Sequence, residues 1–263
     1  MKRSRAAAAS YRSMHPMLTH IRTEADLDAA LAALGAADPR LLSLVAAAGR
    51  PPLRRRPDGF PGLAATIVAQ QLSTASAGAI WTRLAAAFDP LAPEAIARAH
   101  PARLKKVGLS APKIRTLKAI ARAVIGGELA LAALTELAAE EAHAALTAVH
   151  GIGPWTADIY LLSCLGHADA WPAGDLALQE AARLAFGLRA RPTAKEMVTL
   201  AESWRPWRAV AARVLWTYYR ARKGREGAPT ATVLPSAATA RANASAPAKK
   251  KKTPKRGRNG RSA

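Results

Sequence analysis

Apolar residues recur along this chain at intervals of three and four positions, the spacing of one buried helix face. The clearest run starts at Ser110-Ala111-Pro112, because serine and proline are typical of a helix start, and stops at Gly126-Gly127. Its apolar positions are Ile114, Leu117, Ile120 and Val124. Alternating runs of Val, Ile, Thr and aromatic residues, which indicate strands, are almost absent. The pattern therefore predicts an all-α protein.

Further helix boundaries follow from the same signals. Thr23 is followed by Glu24 and Asp26, as is typical of an N-cap and an acidic first helical turn. Ser73 is placed to cap a helix that follows the Gln70–Thr74 segment. Thr135 and Pro206 are predicted to open two later helices. We find no internal repeat of fixed period.

The chain divides by composition into three parts. Residues 1–22 are expected to form a flexible N-terminal arm. Residues 226–263 are rich in Ala, Pro, Ser, Thr and Lys without apolar periodicity, which predicts a disordered basic tail. The folded domain is then 23–225, long enough for one domain or two closely packed subdomains without covalent cross-links.

Charge and cysteine content narrow the classes of partner and cofactor. The formal net charge of +21 favours a polyanionic partner, either nucleic acid or an acidic membrane surface. No apolar run approaches the roughly 18 residues of a membrane span. The single cysteine, Cys164, excludes an internal disulfide and any multi-cysteine zinc or iron–sulfur cluster. A reducing cytoplasm fits this composition.

The segment Leu146–Ala157 contains a turn suited to DNA binding. Gly151 and Gly153 stand one residue apart, and Pro154 then begins a new helix. This pattern predicts a helix-hairpin-helix, in which glycines let the backbone approach a phosphate and the next helix start presents N–H groups to it. Such a site binds the DNA backbone without reading sequence. A Gly-x-Gly turn alone also occurs in ordinary helical hairpins.

Asp175 follows a Pro-Ala-Gly stretch and precedes a helix with an apolar face. One interpretation is an ordinary capping aspartate, worth about 1 kcal/mol. The other is a functional carboxylate, whose negative charge the helix amides and dipole stabilise. Cleavage of a glycosidic bond needs such an anion, since positive charge develops on the sugar. Position alone leaves both interpretations open.

A family resemblance adds to this interpretation. The span from Phe60 to Tyr219 resembles the helix-hairpin-helix DNA glycosylase superfamily, and is most similar to its DNA-3-methyladenine glycosylase II branch. The resemblance implies two helical subdomains of the endonuclease III-like type with a cleft between them. It rests on four blocks in order: Ile67–Ser73; Val107–Ser110 with Lys113; Gly151–Ala157 followed by Asp175; and Ser203–Arg208 leading to Trp216.

The resemblance also assigns roles in the chemistry. Asp175 matches the catalytic aspartate, and Trp155 stands where strand-cutting members carry a nucleophilic lysine. Since an indole cannot form a Schiff base, the resemblance implies a monofunctional enzyme. The four cysteines that hold the iron–sulfur cluster of endonuclease III relatives are missing here, and we expect no cofactor. Trp155 and Trp216 are candidate walls of the base pocket, although core packing explains a single tryptophan equally well.

DNA contacts are expected at three further places. Gln71, or alternatively Leu72, matches the wedge that fills the hole left by an extruded base, although a plain polar turn is the other interpretation. Arg205 and Arg208 are candidate phosphate ligands or a solvated basic face. Family hairpins often hold a monovalent cation through main-chain carbonyls, which here belong to Thr147, Val149 and Gly151.

The sequence thus predicts an enzyme that removes alkylated purines, of the 3-methyladenine type, from damaged double-stranded DNA. We expect it to act as a monomer, away from membranes, in the cytoplasm or on a bacterial nucleoid. Two alternatives stay open: a glycosylase for deaminated or oxidised bases, and a non-catalytic helix-hairpin-helix DNA-binding module.

Overall fold

A computed structural model describes residues 19–224, so most of the predicted arm and the predicted tail at 226–263 lie outside the described residues. Within 19–224 the chain forms α-helices and no β-strand, as predicted. None of these helices is long and apolar enough to cross a bilayer. The helices are α1 Glu24–Ala37, α2 Pro39–Ala48, α3 Gly59–Ala69, α4 Thr74–Ala87, α5 Pro93–Arg98, α6 Pro101–Lys106, α7 Ala111–Ile125, α8 Ala139–Thr147, α9 Pro154–Tyr160, α10 Leu176–Ala185, α11 Ala194–Ala201 and α12 Arg208–Lys223.

The helices pack as two groups, which confirms the predicted pair of helical subdomains. One group combines both ends of the described chain: α12 packs against α10, α2 and α1. The other holds the middle of the chain, where α7 packs against α5 and α3 packs against α4, α7 and α9. Helix α3 is buried from Gly62 to Ala69 because its residues there are small or apolar.

Several predicted helix starts are confirmed. The Thr23 hydroxyl accepts from the Asp26 backbone N–H while the Asp26 carboxylate accepts from the Thr23 N–H, a reciprocal cap of α1. Ser73 caps α4 through the backbone N–H of Ser76. Helix α7 spans the predicted run and buries its apolar face, and Ser110 occupies its N-cap position.

Two predicted starts are wrong. Thr135 ends a short 3₁₀ turn at Ala133–Thr135, and α8 begins only at Ala139. The carboxylate of Glu141 accepts from the backbone N–H of Ala138 and so fixes that start. The last helix begins at Arg208, two residues after Pro206.

The end of the predicted arm also differs from expectation. Ile21 is buried, and its backbone N–H donates to the carbonyl of Gly166 at 2.7 Å. His20 pairs with His167 through an isolated bridge. These backbone contacts, together with burial of the apolar Ile21 side chain, hold residues 19–22 against the domain.

A π-helical turn follows α9 and joins the two subdomains. It spans Leu161–Leu165 and ends at Gly166 in the left-handed region. Its last carbonyls accept from the buried guanidinium of Arg213, the backbone N–H of Arg56 and the guanidinium of Arg55. Burial lowers the pKa of Arg213 to about 10. Part of the basic charge therefore lies in the interior, bonded to main-chain carbonyls, rather than facing solvent.

Candidate active site

The predicted hairpin lies between α8 and α9. Leu146 and Ile152 anchor it in the core, and the N–H of Ile152 closes the turn on the carbonyl of Val149 at 3.0 Å. Gly151 has φ +89°, and a Cβ there would overlap the Thr116 side chain. The fold itself therefore requires a glycine at this position.

Gly153 differs from Gly151 in a way that bears on function. Its backbone φ is −85°, which any residue adopts, and a Cβ would meet nothing within 4 Å. Gly153 is also exposed, at the N-cap of α9. Packing within the protein does not require a glycine here. Close approach of a ligand to the backbone is an explanation that fits the open space.

Asp175 occupies the N-cap of α10, as predicted. Its Oδ1 accepts from the backbone N–H of Leu178 at 2.8 Å, and its own N–H donates to the carbonyl of Pro172 at 2.9 Å. The residue is only 6% exposed. Its carboxylate is therefore held in one orientation at the boundary of the two subdomains.

Two indole N–H groups complete the shell around Asp175. Trp155, at the start of α9, donates from Nε1 to Oδ2 at 2.8 Å. Trp216, on α12, donates from Nε1 to Oδ1 at 3.1 Å. The two tryptophans come from different subdomains, so the carboxylate lies where those subdomains meet. The structure brings together the predicted catalytic residue Asp175 and the two tryptophans predicted as pocket walls.

A second capping aspartate shows how an ordinary cap differs. Asp38 caps α2, is also 6% exposed, and accepts from an indole N–H, that of Trp204, at 2.9 Å. However, the Arg40 guanidinium binds both Asp38 oxygens, and this hydrogen bonding lowers the pKa of Asp38. Asp175 instead accepts from neutral N–H groups. Its negative charge remains available to a cation that enters the site, which favours the functional interpretation.

The predicted wedge residues lie in the turn between α3 and α4. Gln71 and Leu72 are both exposed, and Gln71 has φ +55°, an uncommon conformation for a residue with a side chain. The Nε2 of Gln70 donates to the Thr156 hydroxyl at 2.7 Å. Because Thr156 follows Trp155 directly, the turn lies beside the helix start that carries Trp155.

Arg205 and Arg208 require a correction. Arg208 binds both oxygens of Asp169, at 2.7 and 2.8 Å, and its side chain is 8% exposed. Arg205 contacts Asp169, Glu140 and Glu202 at 2.6, 2.8 and 3.0 Å. These guanidiniums already have carboxylate partners and connect the start of α12 to α8. The predicted phosphate role does not fit this geometry.

The hairpin carbonyls at Thr147, Val149 and Gly151 stay a predicted cation site. The Val149 carbonyl already accepts from Ile152, and a carbonyl oxygen has a second lone pair for a cation. In the described part of the chain no three His, Cys, Asp or Glu side chains form a group that could hold a metal ion.

Two groups on the helices around the site have contacts to which the sequence assigned no role. Lys113 on α7 reaches the carbonyl end of α3. Asp158 on α9 is largely buried, and desolvation raises its pKa to about 8, although His143 Nε2 lies 3.7 Å from its Oδ1. Neither contact has a local sequence signal, because each depends on a partner on another helix.

Comparison with known proteins places the chain among repair proteins. A model of the HhH-GPD superfamily base excision DNA repair proteins matches residues 64–206. A protein of Mycobacterium tuberculosis, "Probable bifunctional transcriptional activator/DNA repair enzyme AlkA", is 34% identical over 204 residues. That alignment covers 74% of this chain and 40% of the relative. The chain therefore spans less than half the length of that relative.

Two solved structures are similar over most of their length. The 3-methyladenine DNA glycosylase Mag1 of Schizosaccharomyces pombe, in complex with abasic DNA, has a TM-score of 0.63 and 29% identity, covering 74% of this chain and 95% of Mag1. A DNA-3-methyladenine glycosidase from Bacillus halodurans has a TM-score of 0.64 and 29% identity, covering 75% of this chain and 92% of that one.

Proposed function

The chain belongs to the HhH-GPD superfamily of base excision DNA repair proteins, and from this premise we propose that it is a monofunctional DNA glycosylase that removes alkylated purines from duplex DNA. The observation that carries the proposal is the Asp175 carboxylate, oriented by the N–H groups of Trp155, Trp216 and Leu178. The names of its relatives, which include 3-methyladenine glycosylases, support the substrate class.

The proposed reaction uses Asp175 as an electrostatic partner. When the C1′–N bond of an extruded nucleotide breaks, its electron pair leaves with the base and the sugar becomes cationic. An alkylated purine is already positively charged, so this electron pair neutralises it and little protonation is needed. The fixed Asp175 anion stabilises the sugar cation. Water then bonds to C1′ and loses a proton, with Asp175 as the acceptor or the group that orients it.

Trp155 supports the monofunctional assignment. Cutting the strand through the sugar requires an amine that forms a Schiff base with C1′. Here the residue at that position is an indole whose N–H is bonded to Asp175. The product is then an abasic site in an unbroken strand. Mag1, a similar structure, was solved in complex with abasic DNA, which is consistent with such a product.

DNA binding in this proposal uses backbone groups and the wedge turn. The open space at Gly153 suits a phosphate, and exposed Gln71 or Leu72 fills the gap left by the extruded base. The hairpin carbonyls would help by holding a monovalent cation beside the phosphate. The enzyme acts as a monomer, since one chain supplies Asp175 and both tryptophans.

The experiment is a base-release assay on methylated duplex DNA. Released purines are measured by chromatography, and strand breaks on denaturing gels before and after alkali. We expect release of 3-methyladenine with breaks only after alkali. Asp175→Asn should slow release by on the order of a hundredfold, because the fixed charge is lost.

Asp38→Asn is the matched control, since it changes the other capping aspartate that binds an indole N–H. It should lower the melting temperature but leave the rate of release within about twofold, because the site is untouched. Uracil and 8-oxoguanine duplexes test the other lesion classes. Tight DNA binding without release from any duplex indicates a binding module instead. Breaks before alkali contradict the monofunctional assignment.

A further inference from the structure

The carbonyl end of α3 is held by a lysine from another helix. In the last turn, the Ile67 carbonyl accepts from the N–H of Gln70, and the Ala69 carbonyl from the N–H of Leu72. Val68 and Gln70 need donors from elsewhere, because helix ends leave carbonyls unsatisfied. The Nζ of Lys113 donates to both, at 2.8 Å each.

This contact lies directly behind the wedge turn. Gln71 follows Gln70 and holds φ +55°, a backbone conformation that residues with a Cβ rarely adopt. Such a conformation persists only where its surroundings fix it. Lys113 binds the carbonyls on the N-terminal side of Gln71, and its ammonium also opposes the negative end of the helix dipole.

We propose that Lys113 is the positioning residue of the wedge turn, holding Gln71 and Leu72 outward before DNA binds. Pre-ordering the turn lowers the entropy cost of inserting it into the duplex. This inference rests on the proposed function, since it concerns base extrusion. Desolvation lowers the pKa of Lys113 because its ammonium is partly buried.

The same helix also touches the hairpin. Thr116, one turn after Lys113 on α7, packs against Gly151 closely enough to exclude a Cβ. Helix α7 therefore contacts both proposed DNA-binding loops, the wedge turn through Lys113 and the hairpin through Thr116. The Gln70–Thr156 hydrogen bond joins the wedge turn to α9 as well. These contacts fix the spacing between the phosphate contact and the wedge.

The test compares Lys113→Met with wild type on two duplexes that carry the same alkylated purine, one paired normally and one mismatched. Extrusion costs less from a mismatch, so the wedge matters less there. We expect release from the paired duplex to slow about tenfold and release from the mismatched duplex to change by less than about threefold. A uniform structural loss would slow both equally.

Lys118 provides the matched control. It lies on the same helix, and its Nζ donates to two carbonyls, of Ala97 and Ala99, at the end of α5. Lys118→Met should destabilise the fold without changing the paired-to-mismatched rate ratio. If Lys113→Met does not fold, Lys113→Ala, which also lacks a donor, gives the same comparison.

The outcomes separate the two claims. If the wild type releases base and the Lys113 variant keeps the wild-type ratio, the positioning role is overturned and the glycosylase proposal stands. If the wild type releases no base from either duplex, the proposed function fails and the inference fails with it.

Discussion

At the scale of single residues, we predict that the indole N–H of Trp216 has a role in base release separate from that of its ring. Trp216→Phe keeps an aromatic ring but removes the donor to Asp175 Oδ1. A hydrogen bond to a charged group contributes about 1.5–3 kcal/mol, so we expect base release to slow about 10- to 100-fold. Affinity for DNA with an abasic analogue should stay nearly constant. Single-turnover kinetics measure the rate of base release, and a binding titration measures the affinity.

Trp204→Phe is the control for that variant, because its indole N–H binds Asp38, away from the site. It should cost stability and leave the rate of release unchanged. Equal rates for Trp216→Phe and wild type would mean that the ring alone matters.

Asp158 predicts how stability depends on pH. Its folded-state pKa of about 8 lies above the ordinary value of 3.8. Between these values the unfolded chain loses the proton while the folded chain keeps it, so stability falls as pH rises through that window. Asp158→Asn should therefore be more stable than wild type at pH 8, by on the order of 2 kcal/mol.

The difference should shrink towards pH 5, which thermal melts at several pH values will show. If Asp158 is instead ionised and paired with His143, 3.7 Å away, the asparagine variant will be the less stable protein at neutral pH. That result would contradict the prediction.

At the scale of elements, the fold requires a glycine at only one of the two hairpin positions. Gly151→Ala should destabilise the fold by about 2 kcal/mol or more, because the left-handed backbone and Thr116 both oppose a Cβ. Gly153→Ala should change stability by less than about 0.5 kcal/mol, since nothing lies within 4 Å of the added atom.

The effect of Gly153→Ala should appear in DNA binding instead. A methyl group that blocks one backbone–phosphate contact weakens binding about tenfold, measured by fluorescence anisotropy with undamaged duplex. Unchanged affinity would place the phosphate contact elsewhere on the protein.

At the scale of the whole molecule, Arg208 tests which positive charges reach DNA. Arg208→Met breaks the paired contact with Asp169 and should destabilise the fold by about 2–3 kcal/mol. The slope of log Kd against log salt should stay at the wild-type value. If Arg208 binds a phosphate, that slope will become shallower by about 0.9.

The sequence by itself determined the features that depend on neighbouring residues. Helical spacing fixed the all-α class, the Gly151 and Gly153 pair located the hairpin, and Asp175 was recognised as a cap before an apolar helix. These features are local because capping, glycine conformation and helix periodicity act within a few positions. The Thr135 prediction failed on a finer point, since the Glu141 carboxylate accepts from the backbone N–H of Ala138 and so sets the start of α8 four residues later.

Only the tertiary structure decided which side chains meet across the two subdomains. Trp216 lies 41 positions from Asp175 in sequence but donates to it. Arg208 is a residue type that often binds DNA phosphates, but here it is paired with Asp169. Lys113 on α7 donates to a carbonyl of α3. The charge and type of a residue do not specify its hydrogen-bond partner, because the fold determines which donor and acceptor atoms come within about 3 Å of each other.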